Sequence, residues 1–320
     1  MIRMLVAWAL EFSLAAGAAE VGGETPLMTA AYHGDVKAMR ALLDRGAKVD
    51  DKTQYGMTAL YYACGATPIA DQAYRGSPDA VRLLLDRGAD PNAAATRTGH
   101  TPLMTAVDNG SLEDVKLLVA HGAAVNARDT YGASALADAL ARRRWPIAAF
   151  LVERGADVTA APDVNGETPL MIAIAAVPPL TSVPADGSDL RAGKALLDAV
   201  EVVKSLLDHK AEVNPRGTNG QTPLTLAATQ CHALVVRDLL ERGAELNARS
   251  KTMAGATALI LAAHCGNLPM AQALLAKGAD VNLRDDLGRA ALDLAEKNQQ
   301  EPMIELLEKA GAKAVDARPR

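Results

Sequence analysis

The sequence predicts an all-α solenoid, in which about eight copies of one helix pair are stacked and joined by short β-hairpin loops. The first observation is a start motif, TPLMTAA at Thr25, that returns with variations along the 320-residue chain. The second is a closing motif, RGAKVD at Arg45, that returns in register behind it. The third is the helical spacing of apolar residues between the two motifs. Self-similarity at a fixed period indicates a repeat architecture.

The start motifs set the frame of the copies. They lie near residues 25, 58, 101, 134, 168, 222, 257 and 290, so successive starts are 33, 43, 33, 34, 54, 35 and 33 residues apart. The underlying period is therefore about 33 residues, and copies two and five carry insertions. We assign the repeat domain to residues 20–313 and a short tail to residues 314–320.

Composition agrees with helices that pack through small residues. Hydrophobic residues make up 49% of the chain, which supplies a core, and aromatic residues make up only 3%, which disfavours a sandwich or barrel. The net charge is −5. Because a nucleic-acid binder needs a basic face to neutralise phosphates, this charge argues against that class of function.

The first copy shows how one unit forms. Thr25 caps the start of the first helix, and Pro26 fits the first helical turn. After a turn at Gly34, a second helix carries its apolar residues on one face. Gly46 then follows where a left-handed C-cap is needed. One unit cannot bury its own apolar faces, so neighbouring units must stack.

From Gly23 to Lys313 these motifs resemble the ankyrin repeat. The resemblance implies a non-enzymatic module that binds another protein. The chain departs from the family pattern in three positions of the unit. The His after TPL is replaced by Met28, Tyr61, Met104, Met171 and Thr225, the turn Gly by Arg143 and Cys231, and the C-cap Gly by Lys210. We expect these departures to cost local stability without changing the fold.

The resemblance also implies a binding surface, formed by hairpin tips and first helices on a concave face. The tip residues are Gln54, Tyr55, Met57, Arg97, His100, Thr130 and Tyr131, and the first-helix residues are Tyr32, His33, Asp108, Asn109 and Arg142. All six tyrosines fall in the N-terminal half, and Tyr and Arg often anchor interfaces. We therefore expect copies one to four to hold the main contact surface. Tyr61 and Tyr62 have an alternative role as core between copies.

The sequence ARRRWP, at residues 141–146, is the densest basic segment of the chain. It falls on the turn of copy four, so we expect these residues, Trp145 among them, to be exposed. A solvated turn and a contact for an acidic partner both fit the pattern. Three arginines are too few to indicate nucleic acid.

The N-terminal segment at residues 1–19 has two interpretations. Arg3, the apolar run that follows it and small residues near Ala18 match the layout of a secretory signal peptide. Glu11 opposes that interpretation, and the alternative is a helix that caps the stack. Export would place the protein in the periplasm or outside the cell, and a cap would leave it in the cytoplasm. No other run approaches the ~20 apolar residues of a membrane span.

Both insertions fall between the two helices of their copies. About nine extra residues lie within 65–76, and about 21 lie within 177–197. The Pro-rich start of the second insertion predicts a loop, and its later part predicts an extension of the following helix. Two interpretations of the insertions remain open. They are surface loops that cost little stability, or they form a lobe that contacts a partner. The last copy lacks TPL and is polar, which is typical of a C-terminal capping repeat.

No catalytic, cofactor or metal site is expected. The chain has no Gly-x-Ser-x-Gly elbow and no matched Cys/His motif for nucleophilic catalysis. Its three cysteines are too few and scattered for a disulfide framework. The pairs Cys231-His232 and His264-Cys265 lie in adjacent copies, but we expect neither a zinc site nor a disulfide there.

The sequence therefore predicts a monomeric protein-binding module whose partner it does not identify. Three alternatives remain: a self-assembling structural protein, an inhibitor or protective partner of an exported enzyme, and an enzyme completed by the insertion in copy five. The enzyme is the least favoured of these, because no motif in the sequence supports it.

Overall fold

A computed structural model describes residues 23–65, 76–159, 166–178 and 190–313 of the protein. The signal or capping segment, the inner parts of both insertions and the C-terminal tail lie outside these residues. The chain forms two compact units, one of residues 1–139 and 153–156 and the other of residues 140–152 and 157–320. No helix of the described residues is long and apolar enough to cross a membrane.

The described residues form sixteen α-helices, two for each of the eight copies. They are α1 (Pro26–Tyr32), α2 (Val36–Asp44), α3 (Ala59–Ala63), α4 (Pro78–Asp86), α5 (Pro102–Asn109), α6 (Leu112–Ala120), α7 (Ala135–Ala141), α8 (Trp145–Glu153), α9 (Pro169–Ala176), α10 (Leu190–Asp208), α11 (Pro223–Thr229), α12 (Ala233–Glu241), α13 (Ala258–Cys265), α14 (Leu268–Ala276), α15 (Ala291–Lys297) and α16 (Glu301–Lys309). The predicted all-α repeat solenoid is confirmed.

The start motif works as a helix cap. The Thr25 hydroxyl accepts a hydrogen bond from the backbone N–H of Met28 at 3.3 Å, which satisfies one of the free donors of α1. Thr101 caps α5 in the same way. At the start of α15 the capping Thr is replaced by Ala290, whose N–H donates to the Asp293 carboxylate at 2.7 Å. Each first helix is therefore started by its own sequence.

The residues that replace glycine adopt the backbone conformation that glycine would have had. Arg143, Lys210 and Cys231 have φ angles of 56°, 69° and 61°. This left-handed region costs a residue with a Cβ about 1–2 kcal/mol. The predicted local cost of these departures therefore has a structural basis, and the helix pairs around them are preserved.

The core lies between helices and is built from small and aliphatic side chains. Leu60, Leu103 and Met104 are fully buried in the first unit, and Leu170 is fully buried in the second. Alanines such as Ala31 sit between them with no exposed surface, which lets neighbouring helices approach closely. The methionines at the family's His position thus contribute apolar core.

The closing motif ends in a side chain that binds the next copy. The Asn92 amide donates to the Gly122 carbonyl at 3.1 Å, and its oxygen accepts from Ala124 N–H at 2.7 Å. Asn214 and Asn282 repeat both bonds in later copies. These contacts join loops about one period apart in sequence.

The predicted hairpin loops contain little β-structure. Within the described ranges the only bridges are two isolated antiparallel ones, Arg128 with Ser134 and Ser250 with Ala256. The loops are shaped instead by hydrogen bonds between turn residues. They are tight turns rather than strand pairs.

Two expectations about copies four to seven were wrong. Trp145 is buried, whereas Arg142, Arg143 and Arg144 are exposed as expected. Trp145 is the first residue of α8, and its indole packs inward while the turn before it faces water. Cys231 and Cys265 form a disulfide, with their Cα atoms 6.1 Å apart. They are 34 residues apart in sequence, so the repeat period places them side by side.

The second insertion lengthens a helix, as predicted. α10 spans 19 residues, whereas most other second helices have nine. In the last copy only Met303 and Leu307 of α16 are buried, which agrees with a polar capping repeat.

Candidate functional site

Several hairpin tips present large side chains to water. Some of these tips are held by a polar residue four positions before their end. The Thr53 hydroxyl accepts from the N–H groups of Tyr55 and Met57 at 3.3 and 3.2 Å. The Asp129 carboxylate accepts from Tyr131 and Ala133, both at 2.8 Å. Such Asx and Ser/Thr turns fix the backbone of a tip independently of its outermost side chain.

Three tips end in an exposed apolar or aromatic side chain. Tyr55 is 43% exposed, Tyr131 is 70% exposed, and Leu287 in copy seven is 66% exposed. All three occupy the same position of the repeat, directly before the tip glycine. Because the turn holds the backbone, the two tyrosine rings are displayed at little further entropic cost.

Neighbouring tips are also tied to each other. Thr96 N–H donates to the Tyr55 carbonyl at 2.8 Å. The N–H and hydroxyl of Thr130 both donate to the Thr98 carbonyl, at 2.9 and 3.1 Å. The predicted site residue Thr130 is therefore engaged in holding two tips together.

The other predicted tip residues differ in exposure. Gln54 and Arg97 are exposed, and Met57 is half-buried. On the first helices, His33 and Arg142 are exposed and Tyr32 is half-buried. The rings of Tyr32 and His33 meet edge to face, with their centroids 5.0 Å apart. These residues are spread over several copies.

Asn109 has a structural role that the sequence did not reveal. Its amide donates to the Cys64 carbonyl at 2.8 Å and to the Thr105 carbonyl at 3.0 Å. The bond to Cys64 crosses from copy three to copy two. Asn267 makes the equivalent bond to the Cys231 carbonyl at 3.1 Å. An Asn at the end of a first helix, or just after it, is the only sequence feature that indicates this contact.

Tyr61 and Tyr62 are adjacent but serve different purposes. Tyr62 is buried and its hydroxyl donates to the Glu24 carboxylate at 2.9 Å, so it is a core residue between copies. Burial raises the pKa of Tyr62, and the hydrogen bond to Glu24 adds to this effect. Tyr61 is half-buried, and its ring meets that of His100 edge to face.

The predicted site residues His100 and Asp108 come together with Asp138, all within the first unit. His100 lies just before α5, Asp108 lies near the end of α5, and Asp138 lies on α7. The His100 Nε2 atom is 3.6 Å from an Asp108 carboxylate oxygen. One potential ligand atom from each of the three residues lies within 4.8 Å of the other two. The sequence analysis placed His100 and Asp108 on a partner surface and did not single out Asp138.

A buried carboxyl lies near the first insertion, beside Gly76. Asp114 has no solvent exposure, and burial raises its pKa to about 6, with the charge of Glu113 adding to the effect and Ser111 offsetting it in part. Cys64 is a free thiol in the same region, and burial raises its pKa. These two groups contribute to the interior, not to the tip surface.

The chain matches known sequence families over most of its length. A family model described as ankyrin repeats in three copies matches residues 5–72, 69–162 and 194–250. A second, described as ankyrin repeats in many copies, matches residues 239–295. The matched copies coincide with the helix pairs described above.

Individual relatives share the repeat but are much longer proteins. The human "Ankyrin repeat and KH domain-containing protein 1" is 41% identical over 88 residues, which is 28% of this chain and 4% of that protein. The Drosophila melanogaster "Neurogenic locus Notch protein" is 39% identical over 101 residues, 27% of this chain and 4% of that protein. Alpha-latrocrustotoxin-Lt1a from Latrodectus tredecimguttatus is 30% identical over 122 residues, 38% of this chain and 7% of the toxin. The chain thus spans only a small part of each of these three relatives.

A solved structure extends the likeness to most of the fold. The crystal structure of the human ASB11 ankyrin repeat domain is similar with a TM-score of 0.57 and 27% sequence identity. The match covers 80% of this chain and 99% of that one. With sixteen helices in eight pairs among its described residues, and with family models that match well over half of its length, the chain belongs to the ankyrin-repeat family.

Proposed function

We propose that this protein is a non-enzymatic binding module that holds another protein against its hairpin tips and first helices, mainly in copies one to four. Ankyrin repeats are generally protein–protein interaction modules, which supports the class of function. The observation that carries the choice of surface is the display of Tyr55 and Tyr131, at 43% and 70% exposure, on tips that are internally held.

Physical reasons favour these two tyrosines as anchors. A Tyr side chain has a large apolar ring with few rotatable bonds, and its hydroxyl satisfies a partner polar group. Burying such a ring in a partner's pocket contributes more than an equally exposed polar side chain. Gln54 and Arg97 then lie around the anchors, where they contribute mainly to orientation and association rate.

The experiment compares tips at one equivalent position. The full chain is used to capture a partner from its native type of host by cross-linking, and the affinity of the purified pair is then measured. Replacing Tyr55 and Tyr131 by Ala is expected to lower affinity by about 2–4 kcal/mol in total, as for interface anchors. Leu287→Ala is the matched control, because Leu287 occupies the same repeat position in copy seven. If the two tyrosine replacements together and Leu287→Ala lower the affinity equally, the contact surface lies elsewhere than proposed.

We also propose that the protein is exported, to the periplasm or the cell exterior. The disulfide between Cys231 and Cys265 supports export, because structural disulfides persist in oxidising compartments and are rare in the cytoplasm. The signal-like composition of residues 1–19 points the same way. Export favours an inhibitor or protective partner of another exported protein over a cytoplasmic adaptor.

Intact mass spectrometry of the protein from its native type of host tests this proposal. We expect the mature protein to lack about the first 18 or 19 residues, because a signal peptide is removed on export. We also expect its mass to be lower by two hydrogens, because of the disulfide. A full-length, fully reduced protein would contradict export. Light scattering on the same sample tests the expected monomer, and a large assembly would favour the self-assembling alternative.

A further inference from the structure

We propose that His100, Asp108 and Asp138 form a binding site for one divalent transition-metal ion, of the type of Zn²⁺. Metal binding at this site does not require the proposed protein partner. It joins copy three to copy four within the first unit, because His100 lies just before α5, Asp108 lies in α5 and Asp138 belongs to α7.

The ligand types fit such an ion. Zn²⁺ binds one imidazole nitrogen at about 2.0–2.1 Å and carboxylate oxygens at about 2.0–2.2 Å, with a water as the fourth ligand of an open site. Tetrahedral ligands at those lengths are about 3.4 Å apart. The His100 and Asp108 atoms are already 3.6 Å apart. The widest separation in the group is at most 4.8 Å, which a rotation of a carboxylate can close.

Two hydroxyl groups hold the ring of His100 from one side. The Thr105 hydroxyl oxygen lies 3.3 Å from His100 Nδ1 and 3.2 Å from the Thr101 carbonyl oxygen. The Tyr61 hydroxyl oxygen lies 3.4 Å from the same Nδ1 atom.

The other ring nitrogen, Nε2, lies 3.6 Å from the Asp108 carboxylate oxygen. A divalent ion at this place binds the nitrogen and both carboxylates at once. A metal-bound His normally donates its other ring N–H to an oxygen acceptor, and Thr105 and Tyr61 are placed to serve in that role.

A second histidine of the same unit provides the contrast. His121 Nε2 lies 3.7 Å from an Asp86 carboxylate oxygen, and its Nδ1 is 2.8 Å from the Leu117 carbonyl. His121 does not belong to a group of three potential ligands among the described residues. It therefore reproduces the His–carboxylate pair and the bond to Nδ1 without a second carboxylate.

The test is isothermal titration of the full chain, freed of any affinity tag and treated with chelator, with ZnCl₂ at pH 7.5. We expect one ion per chain for the unaltered protein and for His121→Ala. His100→Ala and Asp138→Asn are each expected to weaken binding by more than the 10–100-fold typical of losing an outer contact. Thr105→Val is expected to weaken it by about tenfold, because the ring loses its fixed orientation.

Two readouts keep the result interpretable. Circular dichroism shows whether each variant is folded, and Asp138→Asn carries the test if His100→Ala is not. Titration with Co²⁺ is expected to give visible absorption bands of a nitrogen- and oxygen-ligated ion, without the ultraviolet band of a thiolate from Cys64. Absence of stoichiometric binding, or binding unchanged in both ligand variants, would overturn the proposal.

Discussion

The Asn92 side chain spans two successive copies by binding the loop after α6 at two points. Its amide nitrogen donates to the Gly122 carbonyl at 3.1 Å, and its amide oxygen accepts from Ala124 N–H at 2.7 Å. A single side chain thereby satisfies one acceptor and one donor of the next loop. The bond is made in later copies by Asn214 and Asn282, so it is a repeated device of the fold.

Replacing Asn92 by Ala is expected to lower the free energy of unfolding by about 1–2 kcal/mol, because two backbone groups lose their partner. Urea titration measures the change. Asn92→Asp is the matched variant, since it keeps the acceptor and loses the donor. Asp50 shows that a carboxylate can make the acceptor bond, because it accepts from Asp90 N–H at 3.0 Å. If Asn92→Asp proves as unstable as Asn92→Ala, the donor half of the contact carries the whole effect.

Lys210→Gly is expected to stabilise the protein by about 1 kcal/mol. Lys210 has a φ of 69°, which glycine adopts without a Cβ penalty. The control is the reverse change at the same repeat position, Gly243→Lys, where φ is 81° and an added Cβ would meet no atom within 4 Å. Both changes are read from the denaturation midpoint. Destabilisation by Lys210→Gly would mean that its side chain has contacts that outweigh the backbone strain.

Stability is expected to fall as the pH rises from about 4 to 6, because of Asp114. Burial raises the pKa of Asp114 from 3.8 to about 6 in the folded chain, so the folded state holds this proton more tightly than the unfolded state. The carboxyl is therefore neutral at low pH, and its ionisation lowers the free energy of unfolding by roughly 3 kcal/mol.

Asp114→Asn removes that titration, so the variant is expected to be more stable than the parent at pH 7.5 and similar to it at pH 4. Denaturation at the two pH values separates this effect from a simple change in packing. An equal difference in stability between the variant and the parent at both pH values would show that the ionisation of Asp114 does not control stability. Asp79→Asn is the control, because Asp79 is an exposed carboxyl of the same unit.

Reduction of the disulfide is expected to lower the free energy of unfolding by about 3–4 kcal/mol, the value for a closed loop of this length. The bond joins Cys231 and Cys265, which are 34 residues apart. Thermal unfolding with and without a phosphine reductant measures the loss. The double variant Cys231→Ser, Cys265→Ser should show no response to the reductant. A response that persists in it would show that the loss does not come from this disulfide.

Local features of the fold were predictable because they depend on neighbours in sequence. A Thr at a helix start caps the N–H three residues later, as at Thr25 and Thr101. The extension of α10 followed from helical periodicity. Trp145 was misplaced for the converse reason: its neighbours in sequence are exposed arginines, but its surroundings come from residues outside the turn.

The candidate surface was predictable in part. Tyr55 and Tyr131 are exposed tip residues, in agreement with the position assigned to them. Asn109 and Thr130 occupy the family's contact positions, yet their side chains hold neighbouring copies together. A repeat position specifies where a residue lies, and the partners available there depend on the adjacent copy.

The sequence by itself determined the number of copies, the boundaries of the helix pairs and the positions that require a left-handed backbone. These properties depend on periodicity and on hydrogen bonds within a few residues. Only the tertiary structure decided that Asn92 binds Gly122, that Cys231 meets Cys265 and that His100 faces Asp138. Each of those contacts joins residues about one repeat apart, whose side chains approach only when the copies stack.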